Sequence, residues 1–250
     1  MTDSNNNHLI FGKNPVKEEI LTGRSGTLHI LEGLKLTDTA LQESLKKNGI
    51  KTVVEKGSFF DLKLKGCNHQ GFAFEPDDPP LTIYNENDLY ESINIANEKT
   101  DTILVADSIT DVGNMAALIR SALLFGVTRF VVSEHNSAPI NNIVMKRSSG
   151  AAAHLNIYRI SNISRVTDRL KNLGYWIYGA DMDGGLLNKE VFAAKRVLIM
   201  GSEGKGLRDI IKKKCDKIIS IPTTQKIDSL NVSVAAGIIL YRIYAESPVS

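Results

Sequence analysis

Apolar positions along this chain fall into two registers: short, nearly uninterrupted runs, and stripes at helical spacing. In the first third, TLHILEG (27–33), KTVVEK (51–56) and QGFAFE (70–75) read as strands. NPVKEEILTG (14–23) predicts a helix with Asn14 as its cap, Pro15 at its first helical position and Gly23 past its end, and TDTALQESLKKNG (37–49) predicts another that stops at Gly49. PDDPPLT (76–82) then breaks both periodicities with three prolines among acids. Residues 1–78 are therefore expected to form one domain, 79–86 a linker and 87–250 a second domain.

The second block alternates. NDLYESINIAN, GNMAALIRSALLFG, NNIVMKRSS, SRVTDRLKNLG, GLRDIIKKKC and residues 230–245 predict helices. TILVADSI, RFVVSE, LNIYRI, YWIYGA, RVLIMG and IISIP predict strands that are apolar along their length. Such strands alternating with helices imply an α/β domain: a mostly parallel sheet covered on both faces, preceded by a smaller α/β domain. Ligands of open α/β sheets bind beyond the carboxyl ends of the strands. Three turns there carry unusual residues: TDVGN (110–114), GSEGKG (201–206) and TTQKIDSLN (223–231).

Composition narrows the picture little. A net charge of +2 over 250 residues does not by itself announce a nucleic-acid binder, so any basic face must come from local clustering. Two distant cysteines, Cys67 and Cys215, argue against a disulfide framework and fit a reducing compartment. The opening MTDSNNNHL lacks the basic and apolar regions of a secretory signal, and no apolar run approaches the ~20 residues needed to span a bilayer. A cytoplasmic protein without a membrane partner is expected.

GSEGKG has neither the Walker spacing nor the dinucleotide spacing of glycines. Glu203 is either a solvated turn residue or a single carboxylate placed where backbone lets a ligand come close. Asn114 reads as the cap of its helix, and Arg120 as a surface residue or, with its planar charged fork on an apolar helix, as a phosphate or oxyanion contact. Ser229 and Asn231 read as caps of the last helix, a role compatible with a second one.

The five histidines do not cluster and Cys67 with His69 is poor zinc spacing, so no metal site is expected. His69 reads as structural or as an RNA contact. DMDGG (181–185) reads as a turn rather than a cation loop, IKKKCDK as a solvated helix end or, with MKRSS, as part of a basic face for a nucleic acid, and Trp176 as core.

The segments DSITDVGNMAALIRSALLFGV, LIMGSEGKGL and SIPTTQKIDSLNVSVAAGI, in this order, resemble the three motifs of the SpoU–TrmH family of RNA ribose 2′-O-methyltransferases. The resemblance covers residues 100–245 and extends to LIFGKNPVKEEI and GCNHQGFAFE, which are similar to the N-terminal RNA-binding domain of the family's long members. It implies a trefoil-knotted methyltransferase domain, S-adenosyl-L-methionine as cofactor, and ribosomal RNA as substrate (a large-subunit guanosine), with transfer RNA as the alternative. A homodimer is implied as well.

By the same resemblance Gly201, Ile221 and Leu230 would hold the cofactor largely through backbone, and Asn114, Glu203, Ser229 and Asn231 would shape the ribose site. Arg120 matches the arginine assigned to activating the 2′-hydroxyl. A guanidinium does not deprotonate in proteins, so an electrostatic role for it is preferred over that of a base.

The family commonly has Pro-x-Asn-x-Gly in the first motif, where this chain has Val112-Gly113-Asn114-Met115-Ala116. That departure motivates a rival reading, a non-catalytic RNA-binding or ribosome-assembly protein. Intact Arg120, Glu203 and Asn231 argue against it, and cofactor binding discriminates between the two.

Overall fold

The computed structural model describes residues 9–21, 23–77, 81–204, 206–224 and 229–246. Residues 79 and 80 of the expected linker, Lys205 of GSEGKG and residues 225–228 before the last helix lie outside them. The chain divides into two compact units, Met1–Pro80 and Leu81–Ser250.

In the first unit β1 (Ile10–Phe11), α1 (Lys13–Leu21), β2 (Gly26–Leu31), α2 (Thr39–Lys47), β3 (Lys51–Glu55), α3 (Gly57–Lys63) and β4 (Phe72–Pro76) follow in order. The sheet runs β1-β4-β2-β3, with β2 and β3 parallel and the other pairs antiparallel. Val16, Ile20, Leu28, Ile30, Leu41, Leu45, Phe72 and Phe74 form its main core. α1 opens at Lys13, so Asn14 lies within the helix instead of capping it. α3 was not foreseen, because GSFFDLK is too short to show a period. His69 is structural: its ring stacks on Phe60 at 4.7 Å and its Nδ1 accepts from the Gly71 N–H at 3.0 Å.

The second unit contains β5 (Ile83–Tyr84), α4 (Glu86–Ala96), β6 (Asp101–Ala106), α5 (Val112–Leu124), β7 (Arg129–Ser133), α6 (Asn142–Arg147), β8 (Asn156–Ile160) and α7 (Ile163–Asn172). It continues through β9 (Trp176–Leu186), β10 (Lys195–Met200), α8 (Asp209–Lys212), β11 (Lys217–Ser220) and α9 (Val232–Glu246). The seven strands order β11-β9-β10-β6-β7-β8-β5, and every pairing is parallel. Strand alternation divides the core in two. Leu104, Phe130 and Leu198 pack with Met115, Leu118 and Ile119 of α5 and Ile239 and Leu240 of α9. Ile103, Val105, Val131, Val197 and Ile199 face α4, α7 and α8 through Leu89, Ile93, Val166, Leu170 and Ile211. The doubly covered parallel sheet read from the apolar runs is the observed architecture. β5, two residues long and inside the stretch 79–86, joins its edge beside β8.

Three local expectations are corrected. Trp176, the first residue of β9, is 48% exposed rather than core. DMDGG is no turn between elements but the middle of β9, where one step along β11, from Ile218 to Ile219, matches six along β9, from Gly179 to Gly185. The surplus residues bulge out of the ladder. α8 has four residues, not the ten of GLRDIIKKKC, and three of the four lysines around it are held in ion pairs, Lys212 with Asp181, Lys214 with Asp168 and Lys217 with Glu190. That stretch offers little free positive charge to an RNA. Among the described residues no helix is long and apolar enough to cross a membrane, and no three His, Cys, Asp or Glu side chains are grouped to hold a metal ion.

Candidate active site

β6 and β10 are neighbours whose last residues, Ala106 and Met200, lie opposite each other, so the loops after them begin side by side. The Asp107 N–H donates to the Met200 carbonyl at 2.9 Å and fixes that start. The loop after β10 then folds back on itself. Gly206 N–H donates to the Ser202 carbonyl at 2.9 Å, and a Cβ on Gly201 would lie 2.2 Å from the Gly206 carbonyl oxygen. The glycines serve this backbone-on-backbone closure. They do not open a helix, since α8 begins only at Asp209.

The closure presents Glu203. Its Oε1 accepts from Asn114 Nδ2 at 2.5 Å and from Asn231 Nδ2 at 2.9 Å. Asn231 Nδ2 also reaches Asn114 Oδ1 at 2.9 Å. The remaining polar atom of Asn231, Oδ1, accepts from the Ser233 and Val234 N–H groups at 2.9 and 3.3 Å and so caps α9. Capping and site building are thus done by one side chain. Asn114 is not the cap of α5: Asp111 is, its Oδ1 accepting from the Asn114 N–H at 2.7 Å. Asp111 fixes the start of α5 directly before Val112, where a proline would otherwise preset φ.

Beyond β9, β10 and β11 lies a cleft of about 760 Å³. Gly201, Glu203, Ile221, Ser229 and Leu230 line it, with Ala180–Gly184, Met200, Lys212, Pro222, Val232 and Ile239. A second cleft, of about 630 Å³, is lined by Ser108, Thr110, Asp111, Asn114, Asn136 and Arg208. Ser202, Glu203 and Gly206 border both, so the Asn114–Glu203–Asn231 cluster stands at the seam. Arg208 is held in the second cleft by a two-pronged bond to the buried Asp107 carboxylate, Nε to Oδ2 at 2.8 Å and Nη2 to Oδ1 at 2.9 Å.

Arg120 is not part of this cluster. It lies six positions beyond Asn114 on α5, about 9 Å along the axis and about a third of a turn round. It is exposed, and its Nη1 donates to Ser149 Oγ at 3.2 Å. It borders neither cleft.

Sequence reasoning passed over Asp181, Lys212, Asp107 and Arg208. Asp181 protrudes from the β9 bulge and bonds Lys212 Nζ at 2.8 Å. Burial pushes its carboxyl up, but Lys212 and the N–H groups of Asp183 and Leu207 more than offset this and leave it below the usual carboxylate range. The only signal in the sequence was an acidic DMDGG in an otherwise apolar strand, whose bulge no period reveals.

The chain matches the SpoU rRNA methylase family over residues 101–241, a stretch that holds all three loops. It is 32% identical over 232 residues to a 23S rRNA (guanosine-2′-O-)-methyltransferase, RlmB, of Vibrio vulnificus, covering 90% of this chain and 87% of the relative. It is 34% identical over 207 residues to an uncharacterized tRNA/rRNA methyltransferase of Borreliella burgdorferi, covering 81% of this chain and 91% of the relative. Among solved structures, the SpoU methyltransferase AviRb of Streptomyces viridochromogenes in complex with AdoMet superposes with a TM-score of 0.60 at 20% identity, covering 95% of this chain and 89% of that one. The TrmH/SpoU tRNA modifying enzyme of A. aeolicus superposes with a TM-score of 0.54 at 28% identity, covering 64% and 83%. With the match extending over more than half of its length and all three loops inside it, the chain belongs to the SpoU rRNA methylase family.

Proposed function

We propose that this chain transfers a methyl group from S-adenosyl-L-methionine to a ribose 2′-hydroxyl of RNA, and that its substrate is a guanosine of large-subunit ribosomal RNA. The observation that carries the reading is the cluster of Asn114, Glu203 and Asn231 at the seam of two clefts, within a chain of this family. Ribosomal RNA is favoured by the Vibrio relative, whose likeness extends over 90% of this chain. A transfer-RNA substrate is the second reading, favoured by the A. aeolicus neighbour at 28% identity.

The larger cleft suits the cofactor. Gly201 brings two backbone stretches to a separation that leaves no room for a side chain, and Ile221 and Leu230 offer backbone groups and apolar surface for an adenine ring. Bound there, the cofactor supplies an already activated methyl group on a sulfonium. The protein's own task is then alignment and charge. Glu203, pinned by two amides, is held rigidly enough to orient a hydroxyl. Arg120 stabilises the developing alkoxide or the adjoining phosphate from the outer face of α5.

Because Arg120 borders neither cleft of its own chain, a second copy is assigned the task of presenting it. Exposed Leu124 on α5 and Val234, Ile238, Tyr241 and Tyr244 on α9 form an apolar face suited to that copy, Phe125 lying 6.0 Å from Tyr241 and 6.1 Å from Tyr244. Residues 1–78 are assigned to holding the RNA, on the likeness of LIFGKNPVKEEI and GCNHQGFAFE. The trefoil knot is assigned to the three loops of the second unit, and the cytoplasm is the place of action.

Labelled cofactor with unmodified ribosomal RNA and transfer RNA tests the reading. Incorporation into ribosomal RNA alone supports it, incorporation into transfer RNA alone transfers the assignment to the second reading, and none in either overturns both.

A further inference from the structure

The cofactor cleft has an uneven distribution of charge. Its walls at Met200, Ile221, Val232 and Ile239 are apolar, while all of its charged groups among the described residues except Glu203 gather where β9 bulges. Asp181 and Asp183 come from that bulge and Lys212 from the end of α8, across from it. Nothing in the strand ladder requires the bulge to be acidic, yet the Asp181 side chain is only 8% exposed. A carboxylate so placed is costly unless partnered. Lys212 at 2.8 Å and the Leu207 N–H at 3.4 Å keep it ionised. Among the described lining residues three carboxylates, Asp181, Asp183 and Glu203, then face one cation, Lys212.

S-adenosylmethionine carries an ammonium, a carboxylate and a sulfonium, and so one net positive charge. Transfer breaks the bond from sulfur to methyl and forms one from methyl to oxygen. The electron pair stays on sulfur and the hydroxyl proton leaves. The by-product, S-adenosylhomocysteine, is neutral overall and otherwise almost the same shape. A cleft with surplus carboxylate therefore distinguishes the two by charge where contact shape does not.

We infer that Asp181 and Asp183 select the methyl donor over its spent form by charge, with Lys212 receiving the carboxylate that both molecules share. The inference rests on the reading of this cleft as the cofactor site. Asp181 and Asp183 act on affinity and exchange, and take no part in the chemistry of transfer.

Calorimetric titration tests it without reference to turnover. The probes are S-adenosylmethionine, S-adenosylhomocysteine and methylthioadenosine, which lacks the amino-acid end. The proteins are the wild type, Asp183→Asn, Asp181→Asn/Asp183→Asn and Lys212→Met, with thermal melts to confirm folding. The double variant should weaken donor binding about tenfold more than by-product binding. Lys212→Met should weaken the by-product more than the donor, because it removes the partner of the shared carboxylate while leaving the surplus negative charge larger, and methylthioadenosine should bind all four proteins equally. In the wild type, added salt should weaken the donor more steeply than the by-product. An unchanged ratio of donor to by-product affinity in the double variant, or equal salt slopes, overturns the inference while leaving the cofactor site standing. Failure of all three probes to bind the folded wild type overturns the site itself.

Discussion

Asn114 Nδ2 donates to Glu203 Oε1 at 2.5 Å, a bond that joins the first turn of α5 to the loop after β10 across 89 positions of sequence. It brings the first and second motifs into one site, and Asn231 adds the third at 2.9 Å. Glu203→Gln keeps the shape and one acceptor but loses the charge that strengthens both bonds. We expect kcat to fall about 10- to 100-fold, because charge-assisted bonds contribute about 1.5–3 kcal/mol, and the melting temperature to fall less than a buried charge would require, because Gln still offers an acceptor to this part-buried bond. Steady-state kinetics beside a thermal melt check it.

Gly201→Ala places a Cβ 2.2 Å from the Gly206 carbonyl oxygen, which is backbone and has nowhere to go. The loop must open to accept it. Loss of about 2–3 kcal/mol of stability is expected, and a melting temperature lower by roughly 5–10 °C, with cofactor affinity lost in parallel. Gly204→Ala is the control, since no atom lies within 4 Å of its Cβ position. It carries only the cost of a positive φ, +74°.

Much of this was legible beforehand. Strand runs such as TILVADSI and RVLIMG show a parallel sheet because strands buried on both faces have no polar alternation to lose. The cluster itself was not legible from periodicity. Asn114, Glu203 and Asn231 are ordinary turn and cap residues in isolation, and only the resemblance singled them out. Asp181 escaped because a bulge shifts pairing between strands without altering the residues that form it. Trp176 was misread because the apolar run YWIYGA does not show how much of each face of its strand is covered.

The depressed Asp181 carboxyl sets a pH dependence whose sign follows from linkage. A folded-state value below the unfolded one, about 3.9, contributes stability that is present above that pH and lost as pH falls through the folded value. The stability gap between wild type and Asp181→Asn should therefore be constant from about pH 8 to 5 and shrink below about pH 4. Denaturant melts across that range check it. A gap that widens on acidification would contradict the assignment of Lys212 as the partner.

Tyr241 is 60% exposed on α9 beside Phe125. If that face meets a second copy, Tyr241→Asp puts a charge into an apolar contact and should shift the protein from dimer to monomer by light scattering. Activity should fall with it under the proposal that a second copy presents Arg120. Mixing inactive Arg120→Ala with inactive Glu203→Ala should restore part of the activity through mixed dimers.

Transfer of the methyl group to a ribose oxygen with Arg120 assisting is the proposal on which the rest depends. The most direct measurement is to methylate unmodified ribosomal RNA with labelled cofactor and locate the product by resistance of the adjoining phosphodiester bond to alkali, with Arg120→Ala and Arg120→Lys alongside. The account predicts one alkali-resistant bond that retains the label, and a rate reduced about 10²- to 10³-fold in both variants, because a point charge does not replace the planar fork. Label that sits on a base and leaves every bond alkali-sensitive, or full activity in Arg120→Ala, would contradict it.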